Sequence, residues 1–176
     1  MKTLIQKIAS FRESEVTLSG WLHNKRSSGS LIFLELRDGS GFIQAIVNKQ
    51  EVPEKVWQAA ESLTQESSLS LTGIVKSHPK KENLFEVQVT DIRVYQISEE
   101  FPIAKKEHGP DFLMENRHLW LRSKRQWAIL RVRDVIQTAV NEYLHQENFI
   151  RTDSPVFTPN ACEGTTTLFP VPYFDL

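Results

Sequence analysis

Cysteine, glycine and long hydrophobic runs are the scarce features of this sequence. Its 176 residues contain one cysteine, which excludes an intrachain disulfide and gives no reason to expect secretion. No apolar run approaches the ~20 residues that a membrane-spanning helix needs, and residues 1–10 lack the apolar core of a signal peptide. The seven glycines are scattered and form no phosphate-binding loop. We therefore expect a soluble, cytoplasmic protein without a membrane segment.

The sequence also has no large excess of positive or negative charge. The formal net charge is −1, so the protein as a whole does not attract nucleic acid, and any such binding must come from a local basic patch. The five histidines have no metal-ligand spacing with one another or with Cys162, so no metal site is predicted. A hydrophobic content of 40% is ordinary for a globular protein and argues against disorder.

Alternating hydrophobicity in the first part of the chain predicts five strands and one helix. The predicted strands are 15–22, 31–37, 40–47, 69–76 and 84–97. The helix begins near Pro53, between the third and fourth strands. Three strands, one helix and two strands is the element order of the OB-fold, a five-stranded barrel that commonly binds oligonucleotides. Other small barrels also carry a helix, so the order alone leaves them open.

The second and third strands are predicted to form a hairpin. Asp38-Gly39 is typical of a two-residue type I′ turn, in which both residues have positive φ. That turn places Arg37 opposite Ser40 and Phe33 opposite Gln44, in cross-strand pairs about 5 Å apart. The apolar face is then the barrel interior, formed by Ile32, Leu34, Leu36, Ile43, Ala45 and Val47.

The outer face of this hairpin combines an aromatic ring, Phe33, with a carboxamide, Gln44. An unstacked base can stack on such a ring, which is worth about 1–3 kcal/mol. An amide can donate to and accept from a base edge, and arginines can hold phosphates. The alternative is that Phe33 covers an apolar patch beneath a loop. Charged neighbours of the pair are Glu35 and Arg37, with Lys25 and Arg26 at the start of the hairpin.

The rest of the chain predicts a linker and a long helix. Residues 99–116 lack a clear period and contain two prolines, so we predict a linker with one short helix. A helix from about 122 to 147 follows, with an apolar face. We therefore divide the chain into a domain at 1–98, the linker at 99–116 and a second domain at 117–176.

Residues 16–47 resemble a known family. VTLSGWLHNKRSSGSLIFLELRDGSGFIQAIV is similar to the anticodon-binding OB domain of the class IIb aminoacyl-tRNA synthetases, the enzymes for aspartate, asparagine and lysine. The resemblance implies that Phe33 stacks on the central uridine of the anticodon and that Gln44 forms hydrogen bonds with it. It also implies that Arg26 contacts the same nucleotides.

The second half resembles the same family. ENRHLWLRS, residues 115–123, is similar to the start of its catalytic domain, and Trp120 resembles the asparagine branch. ENFIRTDSPVFTP, residues 147–159, looks like class II motif 1, although Asn148 stands where a glycine is usual. This motif implies a homodimer interface that includes Phe149 and Pro155.

The last segment resembles a substrate loop of the asparagine branch. In NACEGTTTLFPVPYFDL, residues 160–176, Glu163 matches the acid that binds the α-ammonium group of asparagine. The family uses ATP and Mg²⁺ to activate the amino acid and then transfers it to tRNA. Its motifs 2 and 3, which bind ATP, are not in this sequence, so we expect no catalytic residue here and no activity from the chain alone.

These inferences together predict an α+β protein: a five-stranded OB-fold barrel with one helix, a linker, and the start of an antiparallel α/β class II catalytic domain. The implied activity is charging of the asparagine-specific tRNA. The alternatives are an aspartate enzyme that charges both tRNAs, a non-catalytic OB-fold protein that binds nucleic acid, and a relative that has lost tRNA charging.

Overall fold

The computed structural model describes residues 1–79, 83–103, 106–157 and 171. The chain divides into two compact units, Met1–Glu107 and His108–Leu176. Each unit has its own architecture and is described by itself.

Five strands of the first unit form a closed barrel in the order β1-β2-β3-β5-β4. The pairing of β3 with β5 is parallel, and the other four pairings are antiparallel. The predicted element order and the five-stranded barrel are confirmed. The elements are β1 Glu15–Ser28, β2 Leu31–Arg37, β3 Phe42–Asn48, α1 Glu54–Ser62, β4 Ser68–Ser77 and β5 Phe85–Gln96.

Strand alternation determines what lies inside the barrel, because successive side chains of a strand point to opposite faces. All six residues that the sequence assigned to the interior of the hairpin are buried: Ile32, Leu34, Leu36, Ile43, Ala45 and Val47. Helix α1 adds Val56, Trp57 and Ala60 to the same core. A 3-10 helix, Ile5–Phe11, was not predicted and also contributes buried isoleucines.

The loop between β2 and β3 differs from the prediction. It spans four residues, 38–41, and neither Asp38 nor Gly39 has a positive φ, so the type I′ turn was wrong. The Asp38 carboxylate accepts hydrogen bonds from the backbone N–H groups of Ser40 at 2.7 Å, Gly41 at 3.0 Å and Ile5 at 2.8 Å. Because Asp38 binds a distant backbone as well as its own loop, it stabilises a wider connection than a two-residue turn.

The longer loop shifts the register of the hairpin. Phe33 lies opposite Ile46, and Gln44 lies opposite Glu35. The predicted direct pairing of Phe33 with Gln44 was therefore wrong. A shift of two positions keeps every side chain on its face, so Phe33 and Gln44 remain diagonal neighbours on the outer wall.

The tight turn of this sheet lies between β1 and β2 instead. Strand β1 continues past the predicted end at residue 22 and pairs Ser28 with Leu31. Gly29 and Ser30 make the connection, and Gly29 has φ +58°, which glycine adopts without steric cost. The register of β1 against β2 shifts between Leu22 and Asn24, a β-bulge that reverses which side chains face outward beyond it.

The second unit contains three helices among its described residues: α2 Pro110–Glu115, α3 Arg117–Trp120 and α4 Lys124–Gln146. The long helix predicted at 122–147 is confirmed. Ser123 caps it, because its side chain accepts a hydrogen bond from the backbone N–H of Gln126.

The end of α4 explains how an asparagine can replace a glycine. Asn148 has φ +65°, in the left-handed region that asparagine tolerates. Its N–H donates to the carbonyl of His145 at 3.1 Å, and the N–H of Phe149 donates to the carbonyl of Leu144 at 3.0 Å. These two bonds form a Schellman motif, which ends the helix.

Most apolar side chains of α4 are exposed, Trp127 is half-buried, and no residue of this helix is fully buried. Phe149, which follows the helix, is 63% exposed, and Pro155 is exposed as well. Their predicted place in a homodimer interface stays a prediction. The exposed apolar residues of α4 include Ile129, Leu130, Val132, Val135, Ile136, Val140, Tyr143 and Leu144.

Candidate nucleic-acid interface

The outer wall formed by β1, β2 and β3 contains an open pocket of about 270 Å³. Phe33 and Gln44, which the sequence proposed as a base-binding pair, both line it. The structure thus brings the ring and the amide to one site even though they are not directly opposite. The lining residues are Asn24, Arg26, Phe33, Leu34, Glu35, Phe42, Ile43 and Gln44.

Arg26 and Phe33 are cross-strand partners on this wall. The guanidinium carbon of Arg26 lies 4.5 Å from the centroid of the Phe33 ring, in a cation–π contact. Arg26 is exposed and Phe33 is half-buried. The bulge after Leu22 makes this pairing possible, because uninterrupted alternation from the buried Leu22 would have turned Arg26 toward the interior.

The Gln44 carboxamide is held at both ends. Its Oε1 accepts a 3.3 Å hydrogen bond from Nη2 of Arg26, and its Nε2 donates a 3.3 Å hydrogen bond to Oε2 of Glu86. Glu86 is only 7% exposed and reaches Gln44 because β3 and β5 pair in parallel, with these two residues in register. Sequence reasoning missed Glu86, because alternation within one strand does not tell which distant strand lies beside it.

Lys25 does not share this wall. It pairs with Leu34, an interior residue, whereas Arg26 pairs with Phe33. Its ammonium group donates to the carbonyls of Glu61 and Leu63, each at 2.6 Å, at the end of α1. Burial lowers the pKa of Lys25, and the negative charge of Glu61 opposes that shift. The predicted placement of Lys25 beside Phe33 was therefore wrong.

Arg37 lies on the same strand face as Phe33, but its guanidinium group is paired. Nη2 of Arg37 lies 2.6 Å from Oε2 of Glu66, and the guanidinium carbon lies 5.5 Å from the centroid of Trp21. A buried ion pair thus already engages this side chain. The predicted contact of Arg37 with nucleic acid stays a prediction.

The other predicted positions lie elsewhere. Glu163 falls outside the described residues. Within the part of the chain that the structure describes, no cluster of three or more His, Cys, Asp or Glu side chains could hold a metal ion. Over the same residues, no helix is long and apolar enough to cross a bilayer.

Two family models match the chain. Residues 16–95 match an OB-fold nucleic acid binding domain, and residues 109–175 match the class II tRNA synthetases of the D, K and N group. The first match covers the barrel and the second covers the helical unit.

Curated relatives agree with both matches. The chain is 47% identical to the asparagine–tRNA ligase of Desulforamulus reducens, over 97% of the chain and 40% of that protein. It is 53% identical to the asparagine–tRNA ligase of Sorangium cellulosum, over 91% of the chain and 36% of that protein. The chain thus spans about two fifths of the length of such relatives.

Solved structures give the same assignment. The asparaginyl-tRNA synthetase of Pyrococcus horikoshii, complexed with asparaginyl-adenylate, matches with a TM-score of 0.83 and 33% identity. The match covers 99% of this chain and 41% of that one. The asparaginyl-tRNA synthetase of Entamoeba histolytica, complexed with the same compound, matches with a TM-score of 0.74 and 28% identity, over 88% of this chain and 38% of that one. The barrel, the two family matches and these relatives thus show an OB-fold domain followed by the start of a synthetase domain that is similar to the class II tRNA synthetases of the D, K and N group.

Proposed function

We propose that this chain is part of an asparaginyl-tRNA synthetase and that its barrel binds the anticodon of the asparagine-specific tRNA. The observation that carries the proposal is the pocket on the outer wall, where Phe33, Gln44 and Arg26 meet around one small space. An aromatic face, an amide and a cation in one open pocket are what a protein needs to bind an unstacked base and its phosphate.

The size of the pocket suits a single base. Its volume of about 270 Å³ lies just below the ~300 Å³ at which pockets for drug-sized ligands begin. The central uridine of the anticodon stacks on Phe33, and its polar edge faces the carboxamide of Gln44. Arg26 is exposed and can reach the phosphates on either side of that base.

The second unit contributes to amino-acid activation in this proposal. Glu163 binds the α-ammonium group of asparagine, and ATP and Mg²⁺ are bound mainly by residues of the longer enzyme. Phe149 and Pro155 belong to a homodimer interface, next to the exposed apolar face of α4.

The barrel domain ends near residue 98 and the catalytic domain starts near residue 117. The single cysteine fits a cytoplasmic location, where thiols stay reduced.

Binding of anticodon stem-loops to the 176-residue chain tests the barrel. One stem-loop has uridine at the central anticodon position, and a matched one has cytidine there. We expect tighter binding of the uridine loop, because N3 of uridine carries a proton that can donate to Oε1 of Gln44, whereas N3 of cytidine is an acceptor. Equal affinity for the two loops would contradict base recognition at this pocket.

Charging assays with the full-length protein that contains this chain test the activity. We expect asparagine-dependent exchange of pyrophosphate into ATP, and charging of the asparagine tRNA with asparagine. Charging with aspartate instead would favour the aspartate enzyme. The 176-residue chain on its own should show no exchange, and exchange by this chain would contradict the assignment of the ATP site to residues outside it.

A further inference from the structure

We propose that in the free protein Arg26 occupies the position of the nucleobase, and that RNA binds by displacing it. This inference rests on the proposed function, because it takes Phe33 and Gln44 as the groups that a base contacts. It adds that the face of the Phe33 ring is covered by the protein itself before RNA arrives.

The geometry of the pocket supports this. The Arg26 guanidinium is 4.5 Å from the Phe33 centroid, and one of its nitrogens donates to Oε1 of Gln44 at 3.3 Å. A guanidinium group is planar and delocalised, stacks on aromatic faces and donates hydrogen bonds in its own plane, as a base does. Only a group between the ring and the amide can contact both. Arg26 is that group, so a base and the guanidinium cannot hold the position together.

The contacts of Arg26 are weak enough to exchange. The side chain is exposed, and cation–π contacts of exposed side chains are among the weaker ones. Its hydrogen bond to Gln44 lies at an exposed site, where water can replace it. Once displaced, a charged and flexible arginine can pair with a phosphate of the incoming strand. Arg26 therefore opposes the stacking of a base but supports the binding of a phosphate.

The second hydrogen bond of Gln44 keeps the amide in place during this exchange. Nε2 donates to the buried carboxylate of Glu86, on the side away from Arg26. When Arg26 leaves, Oε1 becomes free while the orientation of the amide stays fixed. The base then meets an acceptor that was already satisfied in the free protein, so the site is never left with an unpaired polar group.

A ligand without phosphate separates the two roles of Arg26. The probe is the nucleoside uridine, titrated by NMR into the 176-residue chain and its variants. Arg26→Ala should bind uridine about two- to fivefold more tightly than wild type, because no cation–π contact has to be broken. Arg26→Ala should bind the anticodon stem-loop more weakly, because a phosphate contact is lost. Arg26→Lys should also gain affinity for uridine, but it should keep most of its affinity for the stem-loop.

Arg93→Ala is the matched control. Arg93 is another exposed arginine over an aromatic ring of the barrel, with its guanidinium carbon 5.3 Å from the centroid of Tyr95, and it does not line the pocket. The substitution removes the same charge, so it should leave uridine binding unchanged. Equal gains from Arg93→Ala and Arg26→Ala would mean a general charge effect and would overturn the proposal.

Two further results would overturn it. Uridine affinity of Arg26→Ala equal to or below that of wild type would mean that the guanidinium does not compete with the base. Side-chain NMR signals of Arg26 that keep their Phe33 ring-current shift in the stem-loop complex would mean that it is not displaced. A different result would contradict the proposed function. In that case the wild-type protein would bind the uridine and cytidine stem-loops equally, independently of the results for the Arg26 variants.

Discussion

Arg37 and Glu66 form an ion pair inside the protein, with Nη2 and Oε2 2.6 Å apart and side-chain exposures of 12% and 2%. The pair connects the end of β2 to the segment just before β4. Glu66 has φ +67°, and its N–H donates to the carbonyl of Leu22 at 2.6 Å. Its backbone and its carboxylate are therefore both anchored, and Arg37 holds a wall of the barrel together beside the pocket.

Glu66→Gln should lower the free energy of unfolding by about 3 kcal/mol, because it leaves a buried guanidinium without its counter-charge. Urea unfolding followed by the NMR signals of barrel amides measures this. Glu13→Gln is the control, because Glu13 pairs with Lys76 at an exposed site where the two side chains are 57% and 36% exposed. That change should cost less than ~1 kcal/mol. Equal losses for the two variants would show that burial does not determine how much an ion pair contributes to the free energy of unfolding.

Gly20→Ala should destabilise the barrel by about 1–3 kcal/mol or more, because extra atoms in a packed site force the backbone to move. A Cβ at Gly20 would lie 2.2 Å from the carbonyl oxygen of Arg37, closer than real Cβ contacts come. Gly39→Ala is the matched control, since a Cβ there meets nothing within 4 Å and its φ is not in the left-handed region. Thermal unfolding of both variants compares them, and a Gly20→Ala protein as stable as the control would contradict the close approach.

Phe33→Ala should weaken binding of the uridine stem-loop by about 1–3 kcal/mol, the usual contribution of one stacked base. Fluorescence anisotropy of a labelled stem-loop measures the change. Tyr95→Ala removes an exposed aromatic ring of the barrel that also lies beneath an arginine but outside the pocket. It should leave the affinity unaltered. The stacking role is wrong if the two variants bind the stem-loop alike.

Lys25→Met should affect stability and leave binding alone. Its ammonium group contacts the carbonyls of Glu61 and Leu63, and a cation at a helix end contributes about 0.3–1 kcal/mol. Arg26→Ala should instead weaken stem-loop binding. It should also reduce the steepness with which the logarithm of the binding constant falls with the logarithm of the salt concentration by about 1. Stem-loop titrations at several salt concentrations distinguish the two. A reduced salt dependence of stem-loop binding in Lys25→Met would mean that Lys25 contacts the RNA, and it would contradict this prediction.

The phenol of Tyr95 should titrate below its usual pKa. The hydrogen bond with Ser70 lowers the pKa of Tyr95 from 10.0, burial opposes this, and the positive charges of Arg93 and Lys2 add to the lowering. Phenolate absorbance of wild type minus Tyr95→Phe gives this pKa, and Ser70→Ala should raise it.

The lowered pKa of Tyr95 also makes the free energy of unfolding depend on pH. Between the lowered pKa and 10.0 the unfolded chain still holds the Tyr95 proton, so the folded state gains stability as pH rises. The gain is measured against Tyr95→Phe, is absent below the lowered pKa and levels off above 10.0. A stability difference that falls with pH in that window would contradict the lowered pKa.

Local patterns predicted the parts of the barrel that depend on one strand at a time. Alternation placed Leu34 inside and Phe33 on the outer wall, and neither assignment changed when the loop proved longer. The loop itself was mispredicted because Asp38 binds the N–H of Ile5, a residue 33 positions away. No reading of residues 38–41 alone reveals that partner.

The basic pair shows a second limit of local reasoning. Lys25 and Arg26 are adjacent in sequence, and both were expected beside Phe33. They point to opposite faces, as strand neighbours must. The bulge between Leu22 and Asn24 decides which of them faces the pocket. A bulge depends on how two strands fit together, so its position follows from the pairing of β1 with β2.

The sequence by itself determined the element order and the barrel interior, because hydrophobic periodicity is a property of the chain in order. Only the tertiary structure decided that Arg26 covers Phe33, that Glu86 holds Gln44 and that Glu66 binds Arg37. Each of these contacts joins residues on different strands or loops. Closure of the barrel sets their distances, and the position of any one residue along the chain does not.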